Sequence, residues 1–309
     1  MSYSAALLSP SDMERQTGLG KDQLRKWRQR FGFPLLELTP SGKTAYSIKT
    51  IARLHSIKRL LDAGFRAGQI VGTSDQELEK LNLAVGLSAP IKYHDQVTQS
   101  LILQLTQIDP RGFRALLTKL RAKQTLGDFV RTTIAPLLIG LGDAWVRKEI
   151  DIHHEHLCTC ILERYFHAQI LKLKPIRGFP TLLLALPPGE HHFLGLLMFE
   201  ALLAEQGAQT INIGADIPLH CIKLAAIASK ANVLAMSFSF YYPTRQVTPT
   251  LQHLRRLLPV HMEIWAGGAG LSGLRKNPKG VRIFSDLDHA VADLHDLHLK
   301  RRQEKEYSH

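Results

Sequence analysis

The sequence predicts three successive domains: an all-α winged helix-turn-helix, a four-helix bundle, and an α/β doubly wound parallel sheet of Rossmann-like architecture. Three observations carry that reading. Residues 8 to about 75 combine short amphipathic helices with a glycine turn and a hairpin-like stretch. Gln96 to Leu171 holds four helix-length periodic stretches with short connections, the pattern of a bundle. From 178 to 300, strand-length apolar runs alternate with helix-length segments, as crossovers between parallel strands require. These patterns place the domains at 1–78, 92–174 and 178–300, with a charged tail at 301–309.

Composition narrows the function classes. The 309 residues are 45% hydrophobic and 21% charged, as in a globular chain. No apolar run approaches the roughly 18 residues of a membrane span. The start, MSYSAALLSPSDMERQ, lacks a basic region followed by an apolar core, so no signal peptide is expected. Three cysteines (Cys158, Cys160 and Cys221) are too few for a disulfide framework, which fits a reducing cytoplasm. The formal net charge of +12 points to a polyanionic partner such as nucleic acid. Lys21 to Arg30 (KDQLRKWRQR) concentrates five basic residues against one acid. The cluster at 300–306 (KRRQEKE) reads as a solvated tail.

In the first domain, Ser9 or Ser11 caps a helix through Thr17, with Asp12 and Glu14 in its first turn. Gly18-Leu19-Gly20 makes a tight turn into a helix from Lys21 to Phe31. Leu24, Trp27 and Phe31 fall at i, i+3 and i+7, one buried stripe, so Arg25, Arg28 and Gln29 point outward. Pro34 stops that helix, and Leu35 to Ser47 has hairpin turn chemistry with Ser41-Gly42 at its tip. A third helix, Ile48 to Ala63, ends at Gly64, and a short fourth begins near Arg66. Arg25-x-Trp27-x-x-Arg30-Phe31-Gly32, the stretch from Gly42 to Tyr46 and Ile57 to Gly64 resemble the winged-helix domain of MerR-family regulators. The resemblance implies operator contacts from Arg25 and Arg28 and a phosphate contact from Lys43. The family's wing usually carries an Arg two residues before its Tyr; here that place holds Thr44.

From Thr73 to Tyr93 the helical pattern fades, and Gly86 to Pro90 reads as a linker. The bundle helices are expected at about Gln96–Gln107, up to Lys123, Leu126–Arg147 and Ile152–Leu171. Trp145 ends the third, and Glu155-His156 open the fourth, with nine residues between Trp145 and Glu155. A Trp plane, a carboxylate and an imidazole suit a nucleoside; a core Trp with a polar first turn is the plain alternative. The neighbouring run His153-His154-Glu155-His156-x-Cys158-x-Cys160 offers a second chemistry, zinc, because His156 and Cys160 share a helix face. Adjacent residues on a helix point apart, which works against a four-ligand site there.

In the last domain, strands are expected at Thr181–Leu186, Thr210–Asn212, Val233–Ser237, Glu263–Trp265 and Val281–Phe284. Helices are expected at Phe193–Gln206, Leu219–Lys230, Val247–Leu258 and Ser285–Leu297. The loop after the first strand, PPGEHHFLG, places Glu190, His192 and Gly195 where such sheets bind ligands. A carboxylate two residues before an imidazole can bond its far nitrogen and fix the tautomer for metal ligation. Forty-one residues separate Gly195 from Ser237, and 27 separate Ser239 from Gly267-Gly268.

Acid-x-His-x-x-Gly, then Ser-x-Ser, then Gly-Gly at these separations resembles the cobalamin-binding Rossmann domain. The acid there is usually Asp, and here it is Glu190. The resemblance implies His192 as lower cobalt ligand with Glu190 behind it. It further implies that Ser237 and Ser239 border the slot for the displaced nucleotide tail, with Gly267 and Gly268 leaving it room. Trp145, nine residues, then Glu155-His156, following a MerR-like domain, resembles the CarH/LitR group of light-responsive regulators. That implies an adenosylcobalamin cofactor, operator DNA as partner, a homo-oligomer (dimer or tetramer) and repression rather than catalysis. Relatives that capture cobalt after photolysis carry a His directly after this Trp, and here the position is Val146. A bis-histidine light state then needs His153, His154 or His156, or does not form. Light-independent cobalamin sensing and a corrinoid methyl carrier are the alternatives.

Overall fold

The computed structural model describes residues 7–39, 42–84, 96–146, 149–271, 274 and 276–306. The chain divides into two compact units, 1–108 with 136–155 and 109–135 with 156–309. Among the described residues no helix is long and apolar enough to cross a membrane.

The first unit begins with β1 (Leu7–Leu8) and α1 (Pro10–Thr17), followed by α2 (Lys21–Phe31). Asp22 lies in the first turn of α2, and Gly32 ends it at φ +68°, the left-handed conformation that glycine adopts without strain. The wing follows as β2 (Glu37–Leu38) and β3 (Thr44–Ser47), paired antiparallel with Glu37 opposite Ala45. β1 completes this sheet on the other side of β3, a strand with no signal in two residues of sequence. The Ser41 half of the expected turn lies outside the described residues, as does the linker Gly86–Pro90. Ser47 caps α3 (Ile48–Asp62) by accepting from the amide of Thr50, and α4 (Ala67–Ile70) follows. α5 (Asp75–Ala84) occupies the stretch in which the helical pattern fades. Its inward positions include Asn82, buried because its amide donates to the carbonyl of Leu78 at 2.7 Å, so the apolar stripe is interrupted. Met13, Leu24, Trp27, Tyr46, Leu54, Ile57 and Leu60 form the core between these elements.

The four expected helices are present as α6 (Gln96–Thr106), α7 (Pro110–Arg121), α8 (Leu126–Phe129) continuing into α9 (Ala135–Val146), and α10 (Ile152–Ile170). Between α8 and α9 the third helix passes through a π-helical turn, Val130–Ile134, where one continuous α-helix was expected. α6 and α9 belong to the first unit, α7 and α8 to the second. Within the second unit the Glu205 carboxylate accepts from the amides of Leu126 at 2.5 Å and Gly127 at 2.7 Å, satisfying the open end of α8. Arg131 in the π turn pairs with Asp288 through its Nε at 2.7 Å.

The rest of the second unit is a five-stranded parallel sheet, β4 (Thr181–Ala185), β5 (Gln209–Asn212), β6 (Val233–Ser237), β7 (Glu263–Gly267) and β8 (Arg282–Phe284). Its helices are α11 (Leu194–Glu205), α12 (Leu219–Ala228), α13 (Thr244–Leu257) and α14 (Leu287–Glu306). The spatial order β5-β4-β6-β7-β8 puts the reversal of chain direction across the sheet between β4 and β6. Leu183, Leu234, Met236 and Ile264 face the layer of α12 and α13, while Leu182, Leu184, Val233, Ala235 and Trp265 face that of α11 and α14. Burial on both faces is why these strands are continuously apolar and not alternating. One expectation is corrected at the C-terminus. The last helix, expected to end at Leu297, continues as α14 through Glu306 and includes the charged cluster at 300–306, of which Lys300 and Gln303 are exposed. Charge alone does not end a helix when its residues are good helix formers.

Candidate cofactor site and nucleic-acid interface

The loop after β4 turns where Pro187, Pro188 and Gly189 exclude further strand. Gly189 sits at φ +80°, and its amide donates to the Asp216 carboxylate at 2.8 Å. The amide of Asp216 donates back to the carbonyl of Glu190 at 3.1 Å, so the loop after β5 buttresses this one. That geometry turns the Glu190 side chain inward, where only 1% of the residue is exposed. Its Oε1 accepts from the His192 amide at 2.9 Å and meets His192 Nδ1 at 2.8 Å. Its Oε2 accepts from the amide of Ser239, beyond β6, at 2.8 Å. The Ser239 hydroxyl lies 3.1 Å from the same His192 nitrogen.

Burial alone raises the Glu190 pKa. Against it work the hydrogen bond and charge of the His192 ring and the two backbone amides, and together they hold the carboxyl below its ordinary value. An ionised carboxylate only accepts, so Nδ1 presents its N–H to Glu190, and in the neutral ring the lone pair is left on Nε2. That is the tautomer a metal ligand needs. Tyr241 stacks on the imidazole with 4.7 Å between centroids and 30° between planes. The alternation of strands and helices puts Asp216 and Tyr241 in loops at the carboxyl ends of the strands but gives neither a role of its own. Only the aromatic run at 238–242 and the loop position of Asp216 hinted at them.

The remaining sequence-predicted residues converge on the same end of the sheet. A Cβ on Gly195, in the first turn of α11, would stand 3.4 Å from the Ser237 hydroxyl, which places the start of α11 close against the end of β6. The Gly267 carbonyl accepts from the Phe238 amide at 2.9 Å. Gly268, at φ +102°, lies so close to the Phe238 backbone that a Cβ would overlap its carbonyl oxygen. The packing of this chain on itself is therefore sufficient to require glycine at 268.

Trp145 packs against the core of the first unit. Its ring and that of His55, on α3, meet edge to face with 4.8 Å between centroids and 88° between planes. Two residues earlier, Asp143 pairs with Arg59 of α3 at 3.6 Å. Glu155 is half-buried and His156 exposed in the first turns of α10. The zinc reading of this segment meets an obstacle. Cys158 is fully buried and Cys160 exposed, on different sides of the helix. The three groups that do come together, Asp151, His153 and His154, have ligand atoms within 4.8 Å of one another. His154 Nδ1 already accepts from the Asp151 amide at 2.9 Å, and the Thr106 backbone takes the ring's other hydrogen bond. Burial, then the neighbouring His153, push the His154 pKa down.

On α2, Arg25 is exposed and pairs with Asp22 at 3.2 Å. Arg28 is half-buried, and its guanidinium hydrogen-bonds the Tyr46 hydroxyl on the wing; burial raises the Tyr46 pKa and Arg28 lowers it. Arg28 thus ties α2 to the wing, where an outward-facing side chain is expected from the sequence. Lys43 is exposed on the wing, where its amide donates to Thr39 Oγ1 at 3.0 Å. An exposed basic helix beside an exposed basic wing is the arrangement of a duplex reader.

Residues 8–77 match the family model of the MerR HTH family regulatory proteins. They are a MerR-type helix-turn-helix domain. Over a greater length the chain is similar to the HTH-type transcriptional repressor CarH of Myxococcus xanthus, 27% identical over 257 residues, covering 82% of this chain and 85% of that one. It is also similar to the HTH-type transcriptional repressor CarA of the same organism, 26% identical over 233 residues, covering 72% and 74%. Among solved structures, the Methanosarcina barkeri monomethylamine corrinoid protein matches with a TM-score of 0.51 at 14% identity, covering 68% of this chain and all of that one. That likeness shows a shared fold, while the MerR-type domain supplies a DNA reader.

Proposed function

We propose that this chain is a MerR-type transcriptional regulator that binds cobalamin in its adenosyl form and changes its DNA binding when light cleaves the cofactor. The observation that carries the reading is the Glu190–His192–Ser239 constellation at the mouth of the parallel sheet. It stands on a chain that also bears a MerR-type reader and resembles two repressors over most of its length. The donor set fits a cobalt ligand: a partly exposed imidazole whose Nδ1 faces a buried, ionised carboxylate leaves Nε2 for the metal. When bound, adenosylcobalamin supplies a cobalt–carbon bond that light can break.

The residues of the chain do the rest. His192 would hold the cobalt, Glu190 would fix its tautomer, and Ser237 and Ser239 would border the space for the nucleotide tail. Gly195 keeps the start of α11 close to the end of β6, and Gly267 and Gly268 keep the end of β7 close-packed beside it. Trp145, Glu155 and His156 are the contacts proposed for the adenosyl group. Arg25 and Lys43 carry DNA contacts, and Arg28 both supports the wing and faces the duplex. The active regulator is a homo-oligomer, whose paired readers multiply weak single-domain affinity. A specific observation favours a second reading, sensing of cobalamin without light: Val146 stands where a ligating His follows the Trp in photoreceptors of the resembling group. The methyl-carrier alternative has no use for a DNA reader.

The test reconstitutes the chain with adenosylcobalamin in darkness. Absorption spectrum, size-exclusion volume and binding to duplexes selected by the chain from a random pool are then compared before and after green light. The expected result is a spectral change together with a change of assembly size and DNA affinity. A spectral change with size and DNA affinity constant supports the light-independent reading. Failure to take up any cobalamin refutes both.

A further inference from the structure

The placement of Trp145 carries a consequence that cofactor binding alone does not. The residue proposed to contact the adenosyl group packs against the core of the MerR-type domain, whose α3 members are Ile51, Leu54, Ile57 and Leu60. The His55 ring meets it edge to face, and Arg59–Asp143 forms an ion pair beside it with both side chains more than four-fifths buried. His55, Arg59 and the apolar positions all lie on one helix, and Asp143 and Trp145 on the last turns of another. α3 follows directly from the wing, since Ser47 is both the last residue of β3 and the cap of α3. Whatever holds α3 therefore also fixes where the wing points.

We propose that this joint is a docking contact that competes with the adenosyl group for Trp145, so that adenosylcobalamin undocks the MerR-type domain and frees it for DNA. The inference rests on the adenosyl assignment made above. Trp145 is half-buried against the α3 core, and the part of its indole that meets His55 has to leave that contact before a purine can cover the same surface. A ligand shifts such an equilibrium only through contacts available in one of its states. Here the adenosyl contact exists in the undocked state and the His55 contact in the docked one. Loss of the adenosyl group returns Trp145 to α3. The arrangement thus gives the cofactor's upper face a direct route to the reader.

The test is hydrogen exchange on the full chain in darkness, without cofactor, with adenosylcobalamin, and with hydroxocobalamin, which lacks the adenosyl group. Binding is verified by absorption in the same samples. The expected result is faster exchange across 48–62 and 136–146 with adenosylcobalamin and no increase with hydroxocobalamin. Equal exchange in all samples that show bound cofactor overturns the docking proposal and leaves the cofactor reading standing. No spectral uptake overturns both. A second measurement uses Arg59→Ala with Asp143→Ala, which weakens the joint without touching Trp145. Lowering the docked population tightens adenosylcobalamin binding by about two- to fivefold and leaves hydroxocobalamin unchanged. Unchanged adenosylcobalamin affinity in the folded variant counts against the proposal.

Discussion

Glu190→Gln isolates the charge behind the proposed cobalt ligand with almost no change of shape. The carboxylate is 1% exposed and accepts from the His192 amide, His192 Nδ1 and the Ser239 amide. The glutamine amide oxygen can serve only one side of that set. If it keeps His192, the amide nitrogen faces the Ser239 N–H at the 2.8 Å now spanned by a hydrogen bond, donor against donor. Stranding a buried donor costs about 1–3 kcal/mol. The bonds that survive drop from charge-assisted to neutral strength, roughly half. Burying an amide costs less than burying a carboxylate, which offsets part of this. The net loss of stability is about 1–3 kcal/mol, and the sharper effect falls on the ligand. With Nδ1 no longer paired to an anion, the ring loses basicity and orientation, and cobalamin affinity falls about 10- to 100-fold. The sign with pH follows from the lowered Glu190 pKa. The advantage of the wild type is complete above the ordinary carboxylate range and disappears as pH falls through the depressed native value. Absorption titration with cobalamin from neutral to acid pH reads both effects. A variant that binds within twofold of wild type at neutral pH, with an unchanged spectrum, would falsify the role given to Glu190.

Two further perturbations probe the supporting structure and the reader. Gly268→Ala forces a side chain onto φ +102° and onto the Phe238 carbonyl; backbone strain alone is worth about 1–3 kcal/mol. The unfolding midpoint of the cofactor-free chain is expected to fall. A midpoint equal to wild type would mean that the glycine is there for the ligand and not for the fold. Arg25→Ala removes an exposed cation from α2 without disturbing the core. It abolishes mobility shifts of selected duplexes and leaves the cobalamin spectrum unchanged, and retained DNA binding excludes Arg25 from the interface.

Much of the chain is legible without coordinates because its determinants are local. The Leu24–Trp27–Phe31 stripe and Gly32 place α2, the apolar run at 181–186 places β4, and the glycine-ended segment at 48–64 places α3. The resemblance of its spacing to the cobalamin-binding Rossmann domain likewise put Glu190, His192, Gly195, Ser237, Ser239, Gly267 and Gly268 in one set, and all of them lie at or beyond the carboxyl ends of β4, β6 and β7. Where local signals conflicted, the reading failed. α5 hides behind a buried Asn82 whose amide nitrogen bonds within its own helix, and α14 continues past Leu297 through a charged run. What only the tertiary structure decided are the contacts between residues far apart in sequence. The Glu190 carboxylate closes on the Ser239 amide, Gly268 on Phe238, Arg28 on Tyr46, and Trp145 on His55. Sequence periodicity fixes which face of an element is buried, but only packing fixes what that face meets. For Trp145 that distinction changes the proposed mechanism: its sequence position suggests a ligand contact, while its packing places it against the DNA-binding domain.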